Sequence, residues 1–425
     1  MKTLLILKNV SLILFAFFIS EKIFAAEKIV DNTTLRHKIM CGYQGWHRVP
    51  NDGSGQGWVH HSRDMNKINA DLLAIDFWPD TSEFALEDKC AVPDMYFPDG
   101  QIAYLVSEYN PNVVKKHFEW MRDYDIDGAF LQVFVSGCEG GRLEHGFDTR
   151  RKVMDNVAVA AKNAGRVWAV SFDIQDLVQT PIEAVYEVMI KEWKRVVDSG
   201  FTKEKTYLHQ DGLPVVQIWG YFYGNSLNTL NVEYVNKIAD FFENDPKYKA
   251  FLCIGGDWAW QGVKDKEWTE TYERYRCFSP WNAGHTYTDS DSKKWAQTSY
   301  WKAQQRYCED NDIIYMPTVN PGISIMNIAQ NFNPDDFVLR HKGEFLWRQL
   351  YDASRTNLDA LYIAMFDEID EGTAVYKISP QIPIGTKMFD TEGMPSDWYL
   401  QLIRYAAPYI REGKEIPHKE MPKNL

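Results

Sequence analysis

Leu361-Tyr362-Ile363-Ala364-Met365-Phe366-Asp367-Glu368-Ile369-Asp370-Glu371-Gly372-Thr373 is the stretch from which the architecture is read. Its first six residues are apolar and predict a buried strand. Four carboxylates follow at the C-terminal end, and Gly372 supports a turn. On a continuing strand, Glu368 and Glu371 would face opposite ways. In a tight turn they would share a face, about 5–6 Å apart, as neighbours on a helix do. A strand ending in clustered acids presents acid/base groups to whatever lies beyond it. Its simpler alternatives are a solvated acidic loop and a Ca²⁺ site, since hard cations take oxygen ligands.

Working outward, seven other runs read as strands: Ile39–Trp46, Gly128–Val135, Val167–Phe172, Pro214–Trp219, Ala250–Ile254, Cys277–Trp281 and Ile313–Val319. Helical patterns separate most of them. Asn110-Pro111 supplies an N-cap and an N1 proline, with Val114, Phe118 and Met121 following on one face. Thr180-Pro181-Ile182-Glu183 reads as a capping box, followed by Val185, Met189, Trp193 and Val196. Further helices are expected near 149–164, 232–244, 263–275, 292–310 and 344–356. Eight apolar strands alternating with helices imply parallel βα units, and eight is the number that closes a barrel. The predicted fold is a (β/α)8 TIM-type barrel over residues 26–425, a single domain with long loops at the C-terminal face. Leu72–Phe77 is a ninth extended candidate, placed in an excursion after the first strand. A nine-strand open sheet is the structural alternative.

Chemistry in such a barrel sits at the C-terminal strand ends. Read there, the sequence delivers Tyr43, Gln44 and Trp46, then Gln132 and Phe134, then Asp173 and Gln175, then Trp219 and Tyr221. The later strands deliver Asp257, Trp258 and Trp260, then Trp281, Asn282 and His285, then Asn320, and finally Glu368 and Glu371. Any one Trp at a strand end is as readily a packing residue as a ligand platform. Polar and aromatic residues collected in one place suit a neutral polar ligand such as a sugar. The spacing expected for Glu368 and Glu371 is close to the separation of about 5–5.5 Å used by retaining glycosidases.

The chain has 425 residues, 45% hydrophobic and 14% aromatic, with a formal charge of −13. It has no basic block, so nucleic acid and anionic membrane surfaces are not expected partners. Lys2 and Lys8, the short apolar run Val10–Ile19 and the small residue ending Ile23-Phe24-Ala25 read as a signal peptide over residues 1–25. Later stretches are too short or too polar to span a bilayer. A secreted or periplasmic location follows as an expectation, and oligomeric state is left open. The six cysteines, Cys41, Cys90, Cys138, Cys253, Cys277 and Cys308, form no Cys-x-x-Cys pair and have no histidine at zinc spacing, so no metal is expected. Cys90 and Cys138 lie in loop-like stretches and are the expected pair if any forms. The Gly-rich stretch Asn51–Gly57 lacks a phosphate-loop lysine and reads as a flexible loop at the mouth. His60 and His61 follow it, in structural or substrate-contacting roles. There is no Gly-x-Ser-x-Gly elbow and no dinucleotide fingerprint, so neither a serine hydrolase nor a nucleotide cofactor is indicated.

Gly42-Tyr43-Gln44-Gly45-Trp46, Asp127-Gly128-Ala129-Phe130-Leu131-Gln132 and above all Asp367-Glu368-Ile369-Asp370-Glu371-Gly372-Thr373 resemble bacterial proteins of the glycoside hydrolase family 71/99-like group over most of residues 38–410. In family 99, the endo-α-mannosidases, the last strand ends in Glu-x-x-Glu-Gly-Thr. The resemblance implies that Glu368 acts on the substrate 2-hydroxyl and Glu371 is the general acid/base of a retaining reaction through a 1,2-anhydro sugar. The family usually has an amide before the first Glu and an aromatic after it. Here Asp367 and Ile369 stand there, so mannan specificity is not carried over. The expectation is an exported glycoside hydrolase with a glycan as partner and no cofactor. The alternatives are a carbohydrate-binding protein on a degenerate hydrolase barrel and a Ca²⁺-dependent structural domain.

Overall fold

The computed structural model describes residues 29–143, 147–174, 180–221, 231–423 and 425. The predicted signal segment and Gln175 lie outside the described residues. The barrel strands are β1 Ile39–Tyr43, β2 Gly128–Phe134, β3 Val167–Asp173, β4 Leu213–Tyr221, β5 Phe251–Asp257, β6 Cys277–Trp281 and β8 Leu361–Ile363. The seventh, β7, comes in two pieces, Ile314–Tyr315 and Thr318–Val319. Its proline explains the break, since Pro317 has no N–H to give a ladder.

All neighbouring barrel strands pair in parallel. In β1, Cys41 is in register with Ile363 on one side and Ala129 on the other. The ring closes through the broken strand. Ile314 pairs with Cys277, and Thr318 pairs with Tyr362. The Tyr362 N–H also donates to the Pro317 carbonyl at 3.0 Å, so the barrel does not open at the proline. Nearly every residue of these strands is buried, as parallel strands covered on both faces must be. The eight predicted strands are thus the eight observed, and the fold is a (β/α)8 barrel. The open nine-strand sheet is excluded, because Leu72–Phe77 forms only isolated bridges, Ser62 to Leu73 and Phe77 to Phe389.

The helices follow the apolar periodicity. Asn110 caps Pro111–Asp123, its side chain accepting from the Asn112 N–H. The second well-signalled helix starts one residue later than predicted, at Ile182, with Pro181 at the N-cap. Phe147–Ala164, Val232–Asn244, Lys266–Arg274, Trp301–Asp310 and Glu344–Ser354 fall in the predicted windows. Two features were not foreseen. Lys89–Tyr96 and Ile102–Val106 form an antiparallel hairpin in the long excursion after β1. A helix Trp398–Arg411 closes the chain against the barrel. Its last residue, Arg411, donates to Asp127 Oδ2 from Nε at 3.0 Å and Nη2 at 2.9 Å, and Asp127 also accepts the Ile39 N–H at 2.8 Å. One carboxylate therefore ties the C-terminal helix to the starts of β1 and β2. All six cysteines are free. The expected Cys90–Cys138 pair does not form: Cys90 sits in the hairpin, and Cys138 is buried in the wall of a cavity between the end of β2 and the helix that follows.

Candidate active site

The turn after β8 is fixed by its own backbone. The N–H groups of Thr373 and Ala374 both donate to the Glu368 carbonyl at 3.1 Å. Gly372 holds φ +66, a left-handed conformation that glycine adopts without a Cβ penalty. A Cβ there would also meet the Ser324 backbone at 2.7 Å. The run is thus a folded turn and not a continued strand, which is the condition under which Glu368 and Glu371 can act together.

Each acid has different neighbours. Asp367 is fully buried and accepts the N–H groups of Gln44 and Gly45, each at 2.8 Å. It pins the end of β1 to the end of β8. Glu368 is buried and accepts Gln44 Nε2 at 2.6 Å on Oε1 and Thr373 Oγ1 at 2.5 Å on Oε2. Asp370 is buried and paired with His60 Nδ1 at 2.8 Å. Glu371 is the half-buried member of the group.

Burial pushes the Glu371 carboxyl up to about 7, and the charges of Asp370 and Asp173 add to the rise. Glu368 is also raised, by burial first and then by Glu371 and Asp370, while its bonds from Thr373 and Gln44 pull the other way. Both carboxyls therefore favour the protonated form more than a free glutamate does. Beneath them His47 bridges two acids, with Nδ1 3.5 Å from Glu108 Oε1 and Nε2 3.8 Å from Asp370 Oδ1. Burial opposes a charge on His47, but Glu108 and Asp370 outweigh it and raise its pKa. Glu108 in turn is driven to about 2, since His47, His117 and Arg48 together overcome its burial.

The predicted residues divide into three groups. Gln44, Trp46, Gln132 and Phe134 line a cavity of about 560 Å³ at the mouth. Gln132 also donates to the Tyr362 hydroxyl at 2.9 Å inside the barrel. Asp173 ends β3, close enough for its charge to act on Glu371. Gly55 and Gln56 of the Gly-rich loop line this cavity, with Gln56 Oε1 accepting from Thr149 at 3.2 Å. A second group sits at the ends of β4 to β6. Trp219 and Trp281 meet edge to face at 5.3 Å. Trp258 lies 4.8 Å from His285 and 5.1 Å from Tyr300, all ring to ring. Asp257 caps its own turn by accepting the Ala259 N–H at 2.9 Å.

The third group is turned away. Tyr43 is fully buried, with its hydroxyl on His117 Nδ1 at 2.9 Å and its ring edge-on to Phe118. It packs under the helix layer and cannot meet a substrate. Tyr221 is likewise buried, its hydroxyl 3.2 Å from that of Tyr275. Trp260 packs between Tyr272, Phe278 and Tyr307. For Tyr43 and Tyr221 strand alternation sends the side chain to the helix side, whereas Trp260 opens a short helical turn beyond β5. Asn320 is buried and braced by Gln349, which accepts its N–H at 3.1 Å and donates to its carbonyl at 2.8 Å. Asn282 is buried and accepts from the Tyr300 hydroxyl. Both shape loops and are not presented to the mouth. Trp46 stands in the cavity wall, but one face is covered by His60, stacked at 3.9 Å and 5°. His61 is buried and donates from Nε2 to the Val106 carbonyl at 2.9 Å, a structural role.

Several functional neighbours had no sequence signal. His47 and Glu108 join Asp370 from far along the chain with nothing local to announce them, and His60, read from the sequence as structural or substrate-contacting, gave no sign of its Asp370 partner. Thr373 was quoted within the motif, and its bond to Glu368 gives it a role there. Among the described residues no group of three or more His, Cys, Asp or Glu is arranged to hold a metal ion.

With this geometry in view, the comparisons with known proteins are informative. The family model of glycosyl hydrolase family 99 matches residues 267–411, a stretch that runs from β6 through the Glu368–Glu371 turn to the last helix. Over this C-terminal third the chain is similar to family 99 glycosyl hydrolases. The glycoprotein endo-alpha-1,2-mannosidase-like protein of Danio rerio is 25% identical over 115 residues, which is 27% of this chain and 26% of that protein. The glycoprotein endo-alpha-1,2-mannosidase of Rattus norvegicus is 27% identical over 113 residues, 26% of this chain and 24% of that one. The chain therefore matches about a quarter of the length of these relatives. In structure it is similar to the GH99 endo-alpha-mannosidase from Bacteroides thetaiotaomicron, with a TM-score of 0.63 at 16% identity, over 89% of this chain and 99% of that one. That likeness concerns the fold alone. Among the described residues no helix is long and apolar enough to cross a membrane.

Proposed function

We propose that the protein is an exported glycoside hydrolase that cleaves a polysaccharide or oligosaccharide with retention of anomeric configuration. The observation that carries this reading is the carboxyl pair on one buried turn at the C-terminal end of β8, with Glu371 raised to about 7 and Glu368 held by two donors. A general acid works best with a pKa near the working pH, and Glu371 meets that requirement. Glu368 is oriented by Gln44 and Thr373 and has a raised pKa, which makes its carboxylate a stronger proton acceptor. In the reaction that the family resemblance implies, Glu368 takes the proton of the substrate 2-hydroxyl as O2 attacks the anomeric carbon. Glu371 gives its proton to the departing glycosidic oxygen. Water then opens the 1,2-anhydro sugar, with Glu371 taking the water proton and Glu368 returning one to O2. Asp173, Gln44, Gln132 and Trp46 supply contacts around the cleaved bond, and the Trp219, Trp281 and Trp258 cluster supplies aromatic surface further along the mouth.

The relatives are named for action on α-1,2-mannosidic bonds. Asp367 and Ile369 depart from the family pattern beside the pair, so that linkage is not assigned to this chain. Export rests on residues 1–25, and the single catalytic domain on the absence of any linker-like stretch between residues 26 and 425. Screening the mature protein against plant, algal and fungal polysaccharides, with the first-formed anomer read by proton NMR, tests the reading. Retention is expected. Inversion would refute the assigned roles, and no hydrolysis in the presence of tight glycan binding would favour a binding protein.

A further inference from the structure

The cavity at the mouth carries a cation that the proposed chemistry does not use. Arg150 lies in the first turn of the helix Phe147–Ala164 and lines the cavity together with Gln44, Trp46, His60, Gln132 and Phe134. Its neighbour Arg151 is spent on Glu139 at 3.0 Å and Glu192 at 3.5 Å. Arg48, on the same cavity, is spent on the Gly45 and His47 carbonyls at 2.9 and 2.8 Å and on Glu108 at 4.0 Å. Arg150 has no carboxylate partner among the described residues. Among the described residues its hydrogen bond, from Nη1 to the Phe134 carbonyl, is long at 3.3 Å, and its guanidinium lies 5.7 Å from the centre of the Phe134 ring.

A guanidinium held in a largely enclosed wall without a counter-charge is costly, because burial of an unpaired charge disfavours the charged form. Burial does press the Arg150 pKa down, and the Cys138 thiol alone offsets it. The guanidinium packs directly over Gly137, where a Cβ would lie 2.5 Å from its Cζ. That glycine makes room for the guanidinium at this point. His60, which is paired with Asp370, feels the Arg150 charge directly. The cation therefore shares its cavity with Gln44, which donates to Glu368, and with His60, which is paired with Asp370. A planar fork with free N–H donors is the group that recognises carboxylates and sulfate esters, often through two parallel bonds.

We infer that the glycan taken by this protein carries an anionic substituent, a uronate carboxylate or a sulfate ester, that pairs with Arg150 on a sugar next to the cleaved bond. The inference rests on the glycoside hydrolase reading of the site and names the class of its substrate. The acids at 367 and 370 do not oppose it. Asp367 and Asp370 are buried and occupied, by two backbone N–H groups and by His60 respectively, and Glu371 is raised toward the neutral form.

The test is affinity electrophoresis of the Glu371→Gln protein through gels containing charged polysaccharides and their matched neutral forms. Uronate-bearing polysaccharides are paired with the same polymers after carboxyl reduction, and sulfated ones with their desulfated forms, so the two arms distinguish the two anions. At least one charged polymer should retard the protein, with binding weakened about ten- to hundred-fold, the range of a charge-assisted pair, when the anion is removed. Arg150→Gln in the same background should weaken binding to the charged polymer by a similar factor and leave the neutral form unchanged. Arg150→Lys, which keeps the charge and loses the fork, should fall between. Thermal midpoints of the variants separate loss of binding from loss of fold. Strongest retardation by neutral polymers, with Arg150→Gln binding as before, would overturn the inference and leave the hydrolase reading standing. Retardation by no polysaccharide of either kind would overturn both.

Discussion

Replacing Asp370 by Asn should lower the pKa of Glu371. Glu371 rises from an ordinary 4.5 to about 7, which is roughly 3 kcal/mol of preference for the neutral form. Burial is the largest cause and Asp370 the next. Removing the like charge takes away one of the causes that hold the proton on. Asn is the same shape, and its amide oxygen can still accept from His60 Nδ1, which now bonds Asp370 at 2.8 Å. The charge is lost and the packing is kept. Glu371 should then titrate below the parent's value of about 7. The sign follows directly: removing a negative neighbour makes ionisation easier, so the acid loses its proton at lower pH. The assay is a carbon-13 NMR titration of protein labelled at the glutamate carboxyl, with the Glu371 signal assigned by its loss in Glu371→Gln. In turnover, the alkaline limb of kcat/KM should move down by the same amount. A Glu371 titration that stays put or moves up would show that Asp370 does not set the acid, and the electrostatic account of the pair would fail with it.

Two further predictions concern the scaffold. Gly42→Ala should destabilise the fold by about 1–3 kcal/mol, the usual range for overpacking, because the new Cβ would lie 2.2 Å from both Met365 Sδ and the Tyr362 hydroxyl; an unchanged urea midpoint would contradict the interior packing described. Arg411→Met should cost about 2–4 kcal/mol by leaving the buried Asp127 without its cation, and a variant as stable as the parent by chemical denaturation would remove the proposed tie between the last helix and the barrel floor.

The barrel was legible because its strands are apolar on both faces and its helices carry their own caps. Asn110 and Pro111 mark a helix start with two independent signals, and eight apolar runs leave few other topologies. The excursion after β1 was not legible. Its hairpin, Lys89–Tyr96 with Ile102–Val106, contains Pro93 and four exposed positions in the first strand, so it shows no clean alternation. The site was legible where it is local. Glu368, Glu371 and Thr373 share one turn, and a turn can be read from one glycine and its neighbours. Side-chain direction at strand ends was not legible. Tyr43 and Gln44 are adjacent, yet one packs on His117 and the other donates to Glu368, because consecutive residues point to opposite faces and the sequence does not mark which face is the mouth. Least visible of all was the Glu108–His47–Asp370–His60 chain. Its members come from three distant segments, and only folding makes them neighbours.

The central claim is that Glu371 is the acid and Glu368 its partner in glycosidic bond cleavage. The most direct measurement is the hydrolysis rate of the parent, Glu371→Gln and Glu368→Gln on the natural glycan and on an aryl glycoside of the same sugar with a good leaving group. Glu371→Gln should lose about 100-fold or more on the natural bond, the range for removing a general acid, and recover much of that loss on the aryl glycoside, whose departure needs no proton. Glu368→Gln should be slow on both. Parent-like rates in either variant on the natural glycan would contradict the account.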